Sequence, residues 1–262
     1  MSTREASRSL SVAILVISCD KYADLWRPFF HLLDRFWPER PGPVYLLTNH
    51  ASPQFRGVTP IAVGPDVSWS DNLVKGLSRV REDYVLMCLE DLLLCGPVEV
   101  DRLEATLAWV QRHRPNQVRL NPSEPAYRPH DDFVGLVPPG APYRTSTVLT
   151  LWKRDVLSAV VKSGENAWQF ETVGSARSDV FGGFFSTHGR CFAVVNGVVK
   201  GKWERCAFRR VHALGAPIDV AARPVMTWAE GVRCTAINAR ARCFKTVPWQ
   251  WRRALRRLGS KY

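Results

Sequence analysis

Two adjacent carboxylates, Glu90 and Asp91, interrupt the apolar run "YVLMCLEDLLL" at residues 84–94. Placed at the tip of a buried strand, such a pair has three uses. It caps a turn, it works as an acid or base, or it offers hard oxygen ligands to Mg2+ or Mn2+, the cations that accompany phosphate-bearing substrates. A third carboxylate, Glu171, ends "ENAWQFE". Desolvation by Trp168 and Phe170 would raise its pKa towards a range useful for acid–base work, with Glu165 and Asp179 as the reserve carboxylates. Arg177 in "GSARS", with Lys200 and Lys202 in "VVKGKW", brings positive charge suited to an anionic group. The plain alternatives are caps for the acids and solvated surface charges for the rest.

The elements that must position these groups follow from periodicity. Residues 12–18, "VAILVIS", are apolar at every position, as a strand covered on both faces requires. Residues 24–37 place Leu25, Phe29, Leu32, Leu33 and Phe36 at spacings of three and four, a helix with Pro28 in its first turn. "PVYLLTN" and "IAVG" read as strands, residues 70–80 as a helix and "YVLMCL" as a fourth strand. Strand and helix alternate, which predicts a doubly wound sheet whose ligands bind beyond the carboxyl ends of its strands. Those ends carry Ser18-Cys19-Asp20, Thr48-Asn49-His50 and Glu90-Asp91.

Further on, "TVLTLWKR" reads as a strand, "DVLSAVVKSG" as a helix closed by Gly164, and "ENAWQFE" as a loop delivering Glu171. Residues 120–144 hold six prolines and read as one long loop. His130, Asp131, Asp132 and Arg144 there either meet an acceptor or are ordinary solvated residues, and His188 and His212 are either further ligands or structural.

The chain has 262 residues, 46% of them hydrophobic, enough for a real core. Its formal charge of +12 is unevenly placed: nine Lys or Arg and no acid follow residue 230, which leaves +3 for the rest. Seven cysteines without a CxxC pair fit a reduced, cytosolic setting. The apolar stretch near the N-terminus is too short to cross a bilayer. Written as a helix from residue 249, the tail puts Trp251, Ala254, Leu255 and Leu258 on one face and Arg252, Arg253, Arg256 and Arg257 on the other. That pattern suits an anionic membrane surface or packing on a protein partner, including a second copy of the chain. No helix-turn-helix, RNP or zinc pattern supports nucleic-acid binding, the reading that the basic tail alone would suggest.

The segments "ISCDKYADLWRPFF", "YLLTN", "VSWSDNL", "YVLMCLEDLLL", "YRTSTVLTLWKRDVL", "GENAWQFETVGSARS" and "VVKGKW" run in order over about residues 12–203. Together they resemble the GT-A glycosyltransferases that use nucleotide sugars, in particular bacterial transferases of capsular and other surface polysaccharides. The resemblance implies an α/β fold, a GT-A-like doubly wound mixed sheet flanked by helices. It divides the chain into a nucleotide-sugar-binding half (10–115), an acceptor half (116–205) and a basic C-terminal extension (206–262).

In that family an Asp-x-Asp motif holds the metal on the sugar-nucleotide diphosphate. Here Leu89 stands in its first place, leaving Glu90 and Asp91 as the metal ligands, with Mg2+ or Mn2+ as the expected ion and the basic residues as the alternative means of neutralisation. The resemblance further implies donor contacts for Ser18 and Asp20 near the nucleobase and for Asn72, beside Ser70 and Asp71, at the start of a helix. Arg177, Lys200 and Lys202 would neutralise the diphosphate. Asp91 and Glu171 become the catalytic residues, Glu171 as the base of an inverting transfer to a saccharide or lipid-linked saccharide, in a cytoplasmic enzyme peripheral to the inner membrane face. A non-catalytic sugar-nucleotide-binding scaffold is the alternative. A nucleotidyltransferase is disfavoured, because "SCDKYADLW" stands where its Gly-rich loop belongs.

Overall fold

The computed structural model describes residues 9–122 and 128–245. The chain runs through β1 (Val12–Ile17), α1 (Ala23–Phe36), β2 (Val44–Thr48), β3 (Val58–Ala62), α2 (Trp69–Leu77), β4 (Tyr84–Leu89), β5 (Leu92–Leu94) and α3 (Val100–His113). It continues with β6 (Gln117–Arg119), β7 (Arg128–Pro129), β8 (Val134–Leu136), β9 (Thr150–Lys153), α4 (Arg154–Val160) and α5 (Ala167–Arg177). Last come β10 (Phe184–Thr187), β11 (Val194–Asn196), β12 (Val198–Val199), β13 (Lys202–Trp203), α6 (Arg205–Ala213) and α7 (Trp228–Lys245).

Nine strands form one mixed sheet in the order β3-β2-β1-β4-β9-β6-β10-β8-β7. The first four are parallel, β9 runs antiparallel between β4 and β6, and β10 returns parallel to β6. This is the α/β architecture expected from the alternation of strand and helix. β1 shows why the strands read as continuous apolar runs. Val12, Ile14 and Val16 enter the core formed with α1, α3 and α6, whereas Ala13, Leu15 and Ile17 enter the core under α2, α4 and α5. All six residues are buried.

Several expectations need correction. "ENAWQFE" is not a loop: α5 begins at Ala167, capped by Asn166, whose side chain accepts from Gln169 N while the Gln169 side chain accepts from Asn166 N. Pro28 falls in the second turn of α1, where the residue 28 to residue 24 hydrogen bond is lost. Part of the proline-rich loop is the β7–β8 hairpin, whose turn is held by the Asp131 carboxylate accepting from Phe133 N and Val134 N. The first part of the basic extension is core rather than appendage, because Ala207, Val211, Ala216 and Met226 are buried. The tail pattern from residue 249 lies outside the described residues, and no described helix is long and apolar enough to cross a membrane.

Candidate active site

β1 and β4 pair in register from Val12↔Tyr84 to Ile17↔Leu89, so they end side by side. The residues that follow, Ser18 and Cys19 after one strand and Glu90 and Asp91 after the other, flank a cleft of about 300 Å3. Tyr22 from the turn after β1, Asp66, Trp69 and Asn72 around the start of α2, and Ala167 at the start of α5 complete its wall. Asp91 is fixed through its backbone: Gly197 N donates to Asp91 O at 2.7 Å. Only glycine permits that approach, since a Cβ at 197 would lie 2.8 Å from a Leu93 methyl and 2.9 Å from the Trp203 ring.

Glu90 is held out of water, and Asp91 is half-buried. Glu90 is 8% exposed; burial first, then the neighbouring Asp91 charge, pushes its carboxyl up to about 8. Burial raises Asp91 to about 6. Arg223 pulls both down from a distance. It comes from the segment between α6 and α7, bonds Asp24 through two nitrogens (2.7 and 2.8 Å), lies 4.8 Å from the Tyr22 ring centre and donates to Gly201 O at 3.1 Å. Among the described residues neither Glu90 nor Asp91 forms an ion pair.

Across the cleft, Asn72 Nδ2 donates to Asp66 Oδ1 at 2.7 Å, whereas Asn72 Oδ1 and Trp69 Nε1 are buried without a hydrogen-bond partner. An unmade buried hydrogen bond costs about 1–3 kcal/mol, so polar ligand atoms or ordered water are the natural complement. Ser18 Oγ accepts from Trp26 Nε1 at 2.8 Å and also stabilises the Glu90 anion.

Ser18, Asn72, Glu90 and Asp91 are therefore brought together, and the other residues singled out in the sequence are not. Asp20 backs the cleft as a clasp: its carboxylate accepts from Asn49 N and His50 N at 2.9 Å and from Ala51 N at 3.1 Å, tying the end of β1 to that of β2. Partial burial works upward on its pKa, but these three donors outweigh it and hold the group below the usual range. Ser70 ties α2 to the loop before α5, its hydroxyl accepting from Glu165 N at 2.9 Å, and Ser68 is the actual cap of α2.

Glu171 lies one turn beyond Ala167 on α5, and its Oε1 accepts from Thr147 N (2.7 Å) and Thr147 Oγ1 (2.8 Å). Arg177 is not on a flexible segment over the cleft; both its terminal nitrogens bond Glu165, one at 2.7 Å. Lys200 and Lys202 line a different cleft.

Arg144, expected in a solvated loop, is 1% exposed and bonds the carbonyls of Val137, Ser178 and Phe181. His188 Nε2 bonds the Asp131 carbonyl, His212 stacks on Phe208, and Asp179 accepts from Gly140 N. The described residues contain no group of three or more His, Cys, Asp or Glu that could hold a metal. Sequence reasoning missed Asp66, Trp69, Tyr22 and Arg223. Trp69 lies within the "SWSDN" motif and was in reach; Arg223 meets Asp24 across 199 positions and left no local signal.

No family model matches the sequence, and no curated protein matches it. Among solved structures, TarS of S. aureus in complex with UDP is 9% identical over 81% of this chain and 68% of that chain, with a TM-score of 0.49. The mannosyltransferase PcManGT from Pyrobaculum calidifontis, in complex with GDP-Man and Mn2+, is 12% identical over 98% of this chain and 81% of that one, with a TM-score of 0.48. UTP-bound UGPase from Acinetobacter baumannii is 11% identical over 88% and 99%, with a TM-score of 0.49.

Proposed function

We propose that the chain is a glycosyltransferase that holds the diphosphate of a nucleoside-diphosphate sugar against Asp91 and Glu90 and passes the sugar to a hydroxyl of a saccharide acceptor. The observation that carries this reading is the carboxylate pair that follows β4 beside the end of β1, Glu90 buried and Asp91 half-buried, with no paired cation among the described residues. Two acids in that setting repel each other and are poorly solvated, so a divalent cation is their natural complement. The donor set fits Mg2+ or Mn2+: two hard oxygen side chains, with phosphate oxygens and water left to complete the shell, as these ions prefer. Once bound, the ion would offset the negative charge of the leaving diphosphate.

The chain's own groups do the rest. Asn72 Oδ1 and Trp69 Nε1 supply an acceptor and a donor to the polar part of the nucleotide, and Ser18 steadies Glu90. Residues 10–115 provide nearly all of this wall, which supports reading them as the donor half and residues 116–205 as the acceptor half. Glu171 is the base. Thr147 fixes one of its oxygens, leaving the other to accept the proton of the attacking hydroxyl, an effect typically of about 10²- to 10⁴-fold.

Thermal unfolding with a panel of UDP-, GDP-, dTDP- and CMP-linked sugars, with and without Mn2+, tests the reading, because a ligand of the native state raises its apparent stability. One nucleotide class is expected to raise Tm in the presence of Mn2+. A panel with no shift would count against a donor site.

A further inference from the structure

A second cleft, of about 800 Å3, is walled by β11, the β12–β13 hairpin, α6 and α7. Lys200, Lys202, Arg210 and Arg233 line it against Glu204 and Glu230, an excess of two positive charges. Both acids are already engaged. Glu204 caps α6 by accepting from Ala207 N at 2.7 Å, and Glu230 accepts from Lys202 Nζ at 2.6 Å and Thr227 N at 2.9 Å. Lys200, Arg210 and Arg233 form no ion pair among the described residues. Lys200 is presented by a two-residue turn with Gly201 in which both φ angles are positive, 51° and 78°.

Between the cations the wall is apolar, formed by Val195, Val199, Ala207 and Met226. The volume is within the range of ligand pockets. A free phosphate would use the cations and leave the hollow wet. A neutral lipid would fill the hollow and leave the cations unanswered. A molecule carrying a phosphate on a hydrocarbon chain satisfies both, since guanidinium and ammonium groups make charge-assisted hydrogen bonds to phosphate while the chain covers the apolar wall.

We propose that this cleft binds a phosphorylated amphiphile, its phosphate or pyrophosphate on Lys200, Arg210 and Arg233 and its chain along Val195, Val199 and Met226. The proposal rests on this cleft alone and stands whether or not the carboxylate cleft holds a sugar donor. The sequence after α7 continues into "TVPWQWRRALRRLGSKY", whose arginines and tryptophans suit the anionic bilayer where such amphiphiles reside.

Calorimetric titration of the full chain tests it with three probes: dodecyl phosphate below its micelle concentration, inorganic pyrophosphate, and neutral dodecyl maltoside. Dodecyl phosphate is expected to bind more tightly than either of the others. The double variant Lys200→Glu/Arg233→Glu weakens it by about tenfold or more, while Arg112→Glu on α3 leaves it unchanged. If the reversed charges perturb folding, Arg233→Gln alone carries the same test with a loss of about threefold. Three results would overturn the proposal: pyrophosphate binding as tightly as dodecyl phosphate, dodecyl maltoside doing so, or folded charge variants that bind dodecyl phosphate like the parent chain.

Discussion

The carboxylate cleft and the cationic cleft are joined through three residues, yet they are built in opposite ways. Val195 and Asn196 line the cationic cleft, and the next residue, Gly197, donates to the Asp91 carbonyl of the carboxylate cleft. At the carboxyl ends of β1 and β4, short side chains are wholly or partly buried and pushed away from their ordinary pKa. In the second cleft, long and exposed cations stand on helices and a hairpin turn. The first arrangement is costly and geometrically fixed, as a group that meets a cation and a reacting bond must be. The second is inexpensive and adaptable, as suits a flexible amphiphile. Arg223 spans the two, bonded to Asp24 on one side and to the Gly201 carbonyl, between Lys200 and Lys202, on the other.

The largest expected effect breaks the carboxylate cleft alone. With a donor identified by the thermal panel, Asp91→Asn should reduce release of the nucleoside diphosphate by about 10²- to 10³-fold in a single-turnover assay, with the circular dichroism spectrum preserved. Glu171→Gln should slow transfer by about 10²-fold or more with donor affinity intact. Equal losses in rate and in donor affinity would make Glu171 a structural residue that only anchors Thr147.

Next in size is Arg223, which lies between the two regions: it packs on Tyr22 of the one and bonds the Gly201 carbonyl beside the other. Arg223→Leu strands Asp24 in a largely buried position, and breaking a buried pair in this way costs about 3 kcal/mol, readable in a urea titration. A loss under about 0.5 kcal/mol would show that the two clefts are not held together by this side chain.

A pH-dependent effect of similar size belongs to the carboxylate cleft. Glu90 ionises from its ordinary value of 4.5 in the unfolded chain but holds its proton to about 8 in the folded one. The unfolded state therefore loses its proton first, and stability falls as pH rises through that window. Relative to Glu90→Gln, the parent chain without added metal should lose on the order of 3 kcal/mol between pH 5 and pH 8. A constant difference across that range would place Glu90 in water.

The two regions also differ in how far they could be read from the sequence. β1 and β4 were legible because strands buried on both faces are apolar throughout, and their polar tips followed from where such strands stop. α5 was not, because its apolar residues form no stripe: Phe170 is buried, while Trp168 and Val173 are exposed. Its capping box, Asn166 with Gln169, was the signal that the periodicity hid. The separation of Lys200 and Lys202 from the acids had no local signature, since it depends on how α6 and α7 pack around the hairpin. Arg177 looked like a free cation because nothing nearby in sequence reveals that Glu165 answers it.

The most direct test of the central claim is calorimetric binding of a nucleoside diphosphate in the presence of Mn2+ to the parent chain, Asp91→Asn and Glu171→Gln. The account expects Asp91→Asn to lose about 100-fold or more in affinity and Glu171→Gln to bind like the parent. Undiminished binding to Asp91→Asn would contradict it.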